Sequence, residues 1–364
     1  MTQKADISNF DRQMMRRCIE LAKRAMGKTS PNPLVGSVIV KDGEIVGEGY
    51  HPQFGEPHAE VFALRSAGEQ AQGATIYVSL EPCSHYGKTP PCADALIKAQ
   101  VKKVVAGMVD PNPLVGGKGL EKLRQAGIEV VAGVEEAACR ELNQGFIQRI
   151  LYQQPFGVLK YAMTLDGKIA ATSGHSAWVT SKASRHLVHQ LRSTCDAIII
   201  GGNTVRKDNP LLTTHGVTEH NPLRVVMSRN LDLPPDCKLW NTDVAPTTIF
   251  TEVDPESVQQ QKVFSEEINI ITVTALTPRV VMDHLYQQGI AKVLWECGGT
   301  LAAKAIADGA VQKLMAFIAP KIIGGSAAPS PVGDLGLDLM SNALNLSQVT
   351  TKFIDSDILV EGYL

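Results

Sequence analysis

The residues with the most chemistry to offer are His58-Ala59-Glu60 and, further along, Glu81-Pro82-Cys83-Ser84-His85-Tyr86-Gly87-Lys88-Thr89-Pro90-Pro91-Cys92. One imidazole and two thiolates, from His58, Cys83 and Cys92, make three ligands for a tetrahedral zinc, and a catalytic zinc keeps its fourth position for water. Zinc lowers the pKa of that water to about 7, which supplies hydroxide at neutral pH. Glu60 stands two residues from the imidazole and can shuttle protons without ligating the metal. An H-x-E triplet or a Pro-Cys pair alone is a weak signal; together, in this order, they are a strong one. The plainer readings are two reduced core thiols or a structural zinc, which would want a fourth protein ligand and would find His85.

The division of labour is that of zinc-dependent base deaminases, whose two cysteines are spaced C-x-x-C. Here eight residues separate Cys83 from Cys92. The polar insert His85 to Thr89 must loop out beside the metal as substrate-specific structure. The elements around it follow a strand–helix alternation. Ile7, Phe10, Met14, Cys18, Leu21 and Ala25 recur at helical spacing up to Gly27. Val35–Val40 predicts a strand, Asp42-Gly43 a hairpin turn and Ile45 onward its partner. His58–Ser66 predicts a helix with His58 and Glu60 in its first turn. Ala74–Leu80 is a buried strand running into Cys83, and Pro91-Cys92 opens a helix. Helix N-termini favour thiolate over thiol. Strands at 101–109 and 128–134, a helix at 119–126 and one continuous helix over 135–150 complete an α/β sandwich. Pro31-Asn32-Pro33-Leu34-Val35-Gly36 recurs verbatim at Pro111–Gly116, either as reuse of one Asn-Pro turn or as two turns at the rim of the zinc pocket.

With 364 residues the chain suggests two domains, divided near Gln153-Gln154-Pro155. A net charge of -2 without a basic stripe speaks against nucleic-acid binding. Seven scattered cysteines fit reduced thiols, and neither a signal core nor a membrane-length apolar run is present. The expected setting is therefore cytoplasmic.

In the second half, Phe156–Met163 is a strand carrying Lys160, and Ser181 caps a helix to about Ser193. Ala197–Ile200 is a buried strand meeting Gly201-Gly202. Strands are expected at 224–227, 247–251, 268–273 and 291–296, and helices at 279–288 and 300–307. Strand, glycine pair, helix occurs at Gly201 and again at Gly298, an arrangement that can hold phosphate or simply let a crossover pack.

Ser30–Gly36, His58-Ala59-Glu60, Glu81–Cys92, Thr164-Leu165-Asp166-Gly167-Lys168, Asp208-Asn209-Pro210 and Glu296 together resemble the bacterial bifunctional riboflavin-biosynthesis deaminase/reductase family over nearly the full chain. The resemblance implies a cytidine-deaminase-like α/β/α domain over 1–150 and a dihydrofolate-reductase-like α/β domain over 151–364. It implies hydrolytic deamination of 2,5-diamino-6-ribosylamino-4(3H)-pyrimidinone 5′-phosphate, then NADPH-dependent reduction of the ribosyl side chain to ribityl. One zinc per chain, NADPH, a phosphorylated pyrimidine and a homo-oligomer are the implied cofactors and partners, without nucleic acid or membrane. Carried over residue by residue, His58, Cys83 and Cys92 bind zinc and Glu60 moves the proton. Asn32, His51 and Lys88 contact the first substrate. Ala162, Trp178, Thr204, Asp208, Gly298, Gly299 and the helix start Thr300, Leu301, Ala302, Ala303 and Lys304 hold NADPH. Lys160, Ser176, Arg192, Leu212, His215 and Glu296 surround the sugar phosphate, with His215 standing where the family often has Arg. Arg229 stands where the family commonly has Ser. It follows a strand's carboxyl end and is either a partner for the 2′-phosphate of NADPH or a solvated surface residue.

Overall fold

A computed structural model describes residues 7–86, 90–254, 264 and 267–364. The chain divides into two compact units, Met1–Gln153 and Gln154–Leu364.

The first unit runs α1 (Asn9–Lys23), β1 (Gly36–Lys41), β2 (Glu44–Tyr50), α2 (Ala59–Ala67), β3 (Thr75–Val78), α3 (Cys92–Lys98), β4 (Lys103–Ala106), α4 (Lys118–Gln125), β5 (Glu129–Ala132), α5 (Glu136–Leu142) and α6 (Gln144–Tyr152). Its sheet has the order β2-β1-β3-β4-β5, antiparallel on either side of β1 and parallel from β3 to β5. The β1–β2 hairpin turns on Asp42 and Gly43, both at positive φ, as a tight turn between twisted strands requires. α1 packs on the sheet chiefly through β1 and α2 chiefly through β2, and the apolar strand residues Val38, Ile39, Ile76, Val78, Val104 and Val105 are fully buried. α1 begins at a capping box on Ser8, whereas α2 and α3 begin at His58 and Pro91 with no side-chain cap.

The predicted single helix over 135–150 is two helices. Asn143 breaks it, with φ −107 and ψ 21. Its side chain is committed elsewhere: Oδ1 accepts from Leu34 N at 2.8 Å and Nδ2 donates to Leu34 O at 3.0 Å. A long-range amide pairing with the first Asn-Pro turn thus overrides helical continuity.

The second unit runs β6 (Phe156–Thr164), α7 (Lys182–Ser193), β7 (Ala197–Gly201), α8 (Gly202–Asp208), β8 (Leu223–Met227), β9 (Thr247–Thr251), β10 (Asn269–Thr272), α9 (Pro278–Gln287), β11 (Lys292–Trp295), α10 (Gly299–Ala307), β12 (Lys313–Ala319), β13 (Ser347–Ile354) and β14 (Asp357–Tyr363). The sheet order is β10-β9-β8-β7-β11-β6-β12-β14-β13, parallel through β12 and antiparallel thereafter. Ser181 and Thr277 cap α7 and α9 with their hydroxyls. Fully buried Arg224 on β8 donates to the carbonyls of Asn241 at 2.8 Å and Ala245 at 2.5 Å, and burial pushes its guanidinium down to about 10. β12, β13 and β14 were not anticipated from the sequence. β13 lies at the sheet edge and is exposed along nearly its whole length, so it lacks the alternation that marks a half-buried strand. Among the described residues no helix is long and apolar enough to cross a membrane.

Candidate active sites

In the first unit β3 delivers the chain to Glu81-Pro82-Cys83, α2 starts at His58 and α3 starts at Cys92. These three segments bring the ring nitrogen of His58 and the sulfurs of Cys83 and Cys92 within 4.8 Å of one another. His58 Nδ1 lies 3.3 Å from Cys92 Sγ and 3.6 Å from Cys83 Sγ. The Cys92 backbone N–H donates to Cys83 Sγ at 3.2 Å. Contact with Cys92 and with His58 holds the Cys83 thiol well below its ordinary range. A soft N/S₂ donor set of this kind fits zinc and offers it no fourth protein ligand among the described residues. His85 is exposed and stands outside the cluster, so it does not complete a structural site.

Glu60, the second residue of α2, is buried beside this cluster. Burial raises its carboxyl to about 7 against the opposing pull of His58. A carboxyl in that range both takes up and returns a proton near neutrality. His51 extends the site. Its Nδ1 faces the Pro57 carbonyl at 3.0 Å, which can only accept, so Nδ1 carries the proton and Nε2 accepts from Asn32 Nδ2 at 3.0 Å. Burial lowers the His51 pKa, in keeping with this neutral tautomer, and its ring meets that of His58 edge-on with centroids 5.7 Å apart. Asn32, His51 and His58 therefore form one connected series. Lys88 lies outside the described residues.

The two copies of the six-residue repeat do different work. The first brings Asn32 to His51. The second is flanked by the donors to Glu81, whose buried carboxylate accepts from Asp110 N at 3.1 Å just before it, and from Gly117 N at 2.8 Å, Gly119 N at 2.8 Å and Leu120 N at 3.3 Å just after it. Sequence reading gave Glu81 no role. Its only signal was an acidic residue closing an otherwise apolar strand.

In the second unit a cavity of about 630 Å³ opens at the carboxyl ends of β7, β8 and β11. Crevices at this end of a parallel sheet are where α/β proteins bind ligands. Ser176, Thr204, Asp208, Arg229, Glu296, Gly298, Gly299, Thr300, Leu301 and Lys304 are on its wall. α10 starts there on Gly298 without a side-chain cap, so its first N–H groups remain available to an anion. Gly299 has to be glycine, because a Cβ would come within 2.5 Å of the Ser330 carbonyl. Ser176 Oγ donates to Asp208 Oδ1 at 3.2 Å.

Behind the wall, Arg192 from α7 grips the Glu296 carboxylate with both arms, Nε to Oε1 at 2.6 Å and Nη2 to Oε2 at 3.1 Å. Lys160 Nζ from β6 stands 4.0 Å from Glu296 Oε2. Burial lowers the Lys160 pKa although Glu296 opposes it. Burial raises the Glu296 carboxyl, but Arg192 and Lys160 outweigh it and the net direction is down.

The remaining expected residues lie off the cavity wall. Ala162 lies on β6, and Leu212 is buried at a φ of 54. His215 stacks on His189 with ring centroids 4.1 Å apart. Ala302 and Ala303 are buried within α10 and turn no side chain to the cavity. Trp178 is 70% exposed, with the Arg185 guanidinium 4.4 Å over its ring.

Residues 8–108 match the family described as "Cytidine and deoxycytidylate deaminase zinc-binding region", and residues 155–360 match "RibD C-terminal domain". Riboflavin biosynthesis protein RibD of Synechocystis sp. is 61% identical over 354 residues, covering 97% of this chain and 96% of that protein. The solved structure of Acinetobacter baumannii RibD, at 39% identity, superposes with a TM-score of 0.85 over 97% of this chain and 98% of that one. A Thermotoga maritima diaminohydroxyphosphoribosylaminopyrimidine deaminase/5-amino-6-(5-phosphoribosylamino)uracil reductase, at 38% identity, superposes with a TM-score of 0.88 over 97% and 98% of the two chains.

Proposed function

The chain belongs to the bifunctional riboflavin-biosynthesis deaminase/reductase family, and from that premise we propose how its two units divide the work and which residues carry it. It is a zinc-dependent deaminase and a nicotinamide-dependent reductase of riboflavin biosynthesis. The deaminase is assigned to residues 1–150 and the reductase to 151–364. The first substrate is 2,5-diamino-6-ribosylamino-4(3H)-pyrimidinone 5′-phosphate, and its deaminated product is the second. The observation that carries this reading is the convergence of His58, Cys83 and Cys92 beside buried Glu60 in one unit, with a separate cavity in the other.

His58, Cys83 and Cys92 hold the metal, which supplies Lewis acidity for hydrolysis. Glu60 takes a proton from the attacking water and returns it to the departing amine. Asn32, oriented by the neutral His51 ring, offers its amide to the pyrimidine edge. In the reductase the cavity holds a nicotinamide cofactor, which supplies the reducing equivalent. Thr204, Asp208 and the first turn of α10 orient that cofactor. Lys160, with its lowered pKa, and the Glu296–Arg192 pair place a proton beside the sugar oxygen that opens.

A coupled assay tests the function. Ammonia release should precede loss of nicotinamide absorbance, and reductant should be consumed only after deaminated product has formed. Reductant consumption with deamination blocked and no product added would refute the order.

The preferred reductant is proposed to be NADPH, with Arg229 reading its 2′-phosphate. Arg229 is on the cavity wall, and its Nε holds Glu252 Oε2 at 3.1 Å while the side chain stays 58% exposed. A guanidinium fork suits a phosphate. Arg229→Ser removes a charge-assisted bond of roughly 1.5–3 kcal/mol, so the NADPH KM should rise about tenfold or more. NADH, which lacks that phosphate, should be nearly unaffected. An unchanged ratio of NADPH to NADH efficiency would leave Arg229 a surface residue paired only with Glu252.

A further inference from the structure

We propose that Glu81 is the positioning residue of the deaminase metal site, fixing the Cys83 sulfur through the backbone of 110–120. The inference rests on the reading of His58, Cys83 and Cys92 as ligands and goes beyond it. Cys83 is the one ligand of the three that stands neither in a helix nor at a helix cap; it sits in the segment after β3. His58 is fixed by the start of α2 and Cys92 by the start of α3. The backbone of Cys83 needs another source of rigidity, and the residues just before it supply one.

Glu81 is buried, with 6% of its surface exposed. Its backbone N–H donates to Met108 O at 2.9 Å, tying it to the chain beyond β4. Each of its carboxylate oxygens accepts two backbone N–H groups: Oε1 from Gly119 and Leu120, Oε2 from Asp110 and Gly117. Two of these donors, Gly119 and Leu120, are buried in the N-terminal turn of α4, where N–H groups have no partner within the helix. The carboxylate thus ties Asp110 and Gly117, the residues on either side of the second Asn-Pro turn, to the start of α4. Gly119 closes the arrangement from the other side, because a Cβ there would collide with the Pro82 carbonyl. Pro82 and Cys83 are therefore held between a saturated carboxylate and a helix that fits against them without a side chain. The second copy of the repeat is the loop these donors bracket, between Asp110 and Gly117.

A neutral amide cannot replace this carboxylate. Gln accepts at one oxygen only, and its NH₂ would point at two N–H donors. Groups that orient metal ligands from behind change metal affinity by about 10–100-fold when they are replaced.

The experiment uses the full chain and the metal alone as probe. Zinc-loaded parent and Glu81→Gln are mixed with excess chelator and the release rate is followed. Each protein is also saturated with cobalt(II) and its d–d absorption recorded. Release should be at least tenfold faster in the variant, and its cobalt bands should shift at saturation because the sulfur has moved. Release within twofold of the parent overturns the proposal. Faster release with superimposable cobalt spectra also overturns it, since Glu81 would then stabilise the loop without setting ligand position. A metal-free Glu81→Gln full chain that loses helical circular dichroism kept by the metal-free parent overturns it as well and makes Glu81 a folding residue. A parent that binds no zinc refutes the ligand assignment instead, which separates the two failures.

Discussion

Glu60→Gln abolishes deamination while the protein keeps its zinc and its reductase activity. Gln at this position matches the carboxyl in shape but neither takes nor returns a proton, and general acid–base catalysis contributes about 10²–10⁴-fold. The rate of ammonia release should fall by that factor or more. Zinc content should stay at one per chain, since Glu60 is not among the three converging ligands. Two measurements on one preparation decide it: metal analysis and ammonia release. Zinc lost together with activity would make Glu60 part of the metal's support, and full activity with zinc present would remove it from the chemistry.

The second large effect is expected at Glu296. Its side chain is 10% exposed, with Arg192 and Lys160 as neighbours at 11% and 17%. Glu296→Gln leaves two cations facing each other in a buried place with no counter-charge. Breaking a buried pair by removing one partner costs about 3–5 kcal/mol. Thermal unfolding of the second unit should move to a clearly lower temperature at neutral pH, and reductase turnover should fall by about 10²-fold or more if Glu296 also places the proton. The pH dependence has a definite sign. The Glu296 pKa is lowered on folding, so its contribution is present above the ordinary value of 4.5 and is lost as pH falls through the folded value. The gap between parent and variant should be widest at neutrality and close below 4.5, as pH falls through the lowered folded value and the parent carboxyl takes up its proton. A gap that does not change with pH would mean that Glu296 acts by shape and not by charge.

Much of this was legible in the sequence because the signals were local. Ser181 announces a helix start by its own hydroxyl. Asp42-Gly43 announces a turn through backbone preference. His58, Cys83 and Cys92 have side chains whose chemistry is visible without a fold. What was not legible depended on partners far along the chain. The break at Asn143 is made by Leu34, and the ends of the loop over 110–117 are held by Glu81. β13 escaped because an exposed edge strand carries no burial pattern to read. The Arg192–Glu296 pairing joins residues 104 positions apart, so no window of sequence contains both.

The uncapped start of α2 sets the direction in which this protein can be improved. α1, α7 and α9 each have a hydroxyl at the position before the helix, and α2 has His58. Replacing a non-capping residue there by Ser or Asp would ordinarily gain about 0.5–2 kcal/mol. At this one position the gain would come from removing a metal ligand. A population of variants selected for heat resistance alone therefore has a cheap route through residue 58, and the first activity lost along it would be the deaminase. Selection that demands both reactions closes that route and confines stabilising change to helices whose first residue has no second duty.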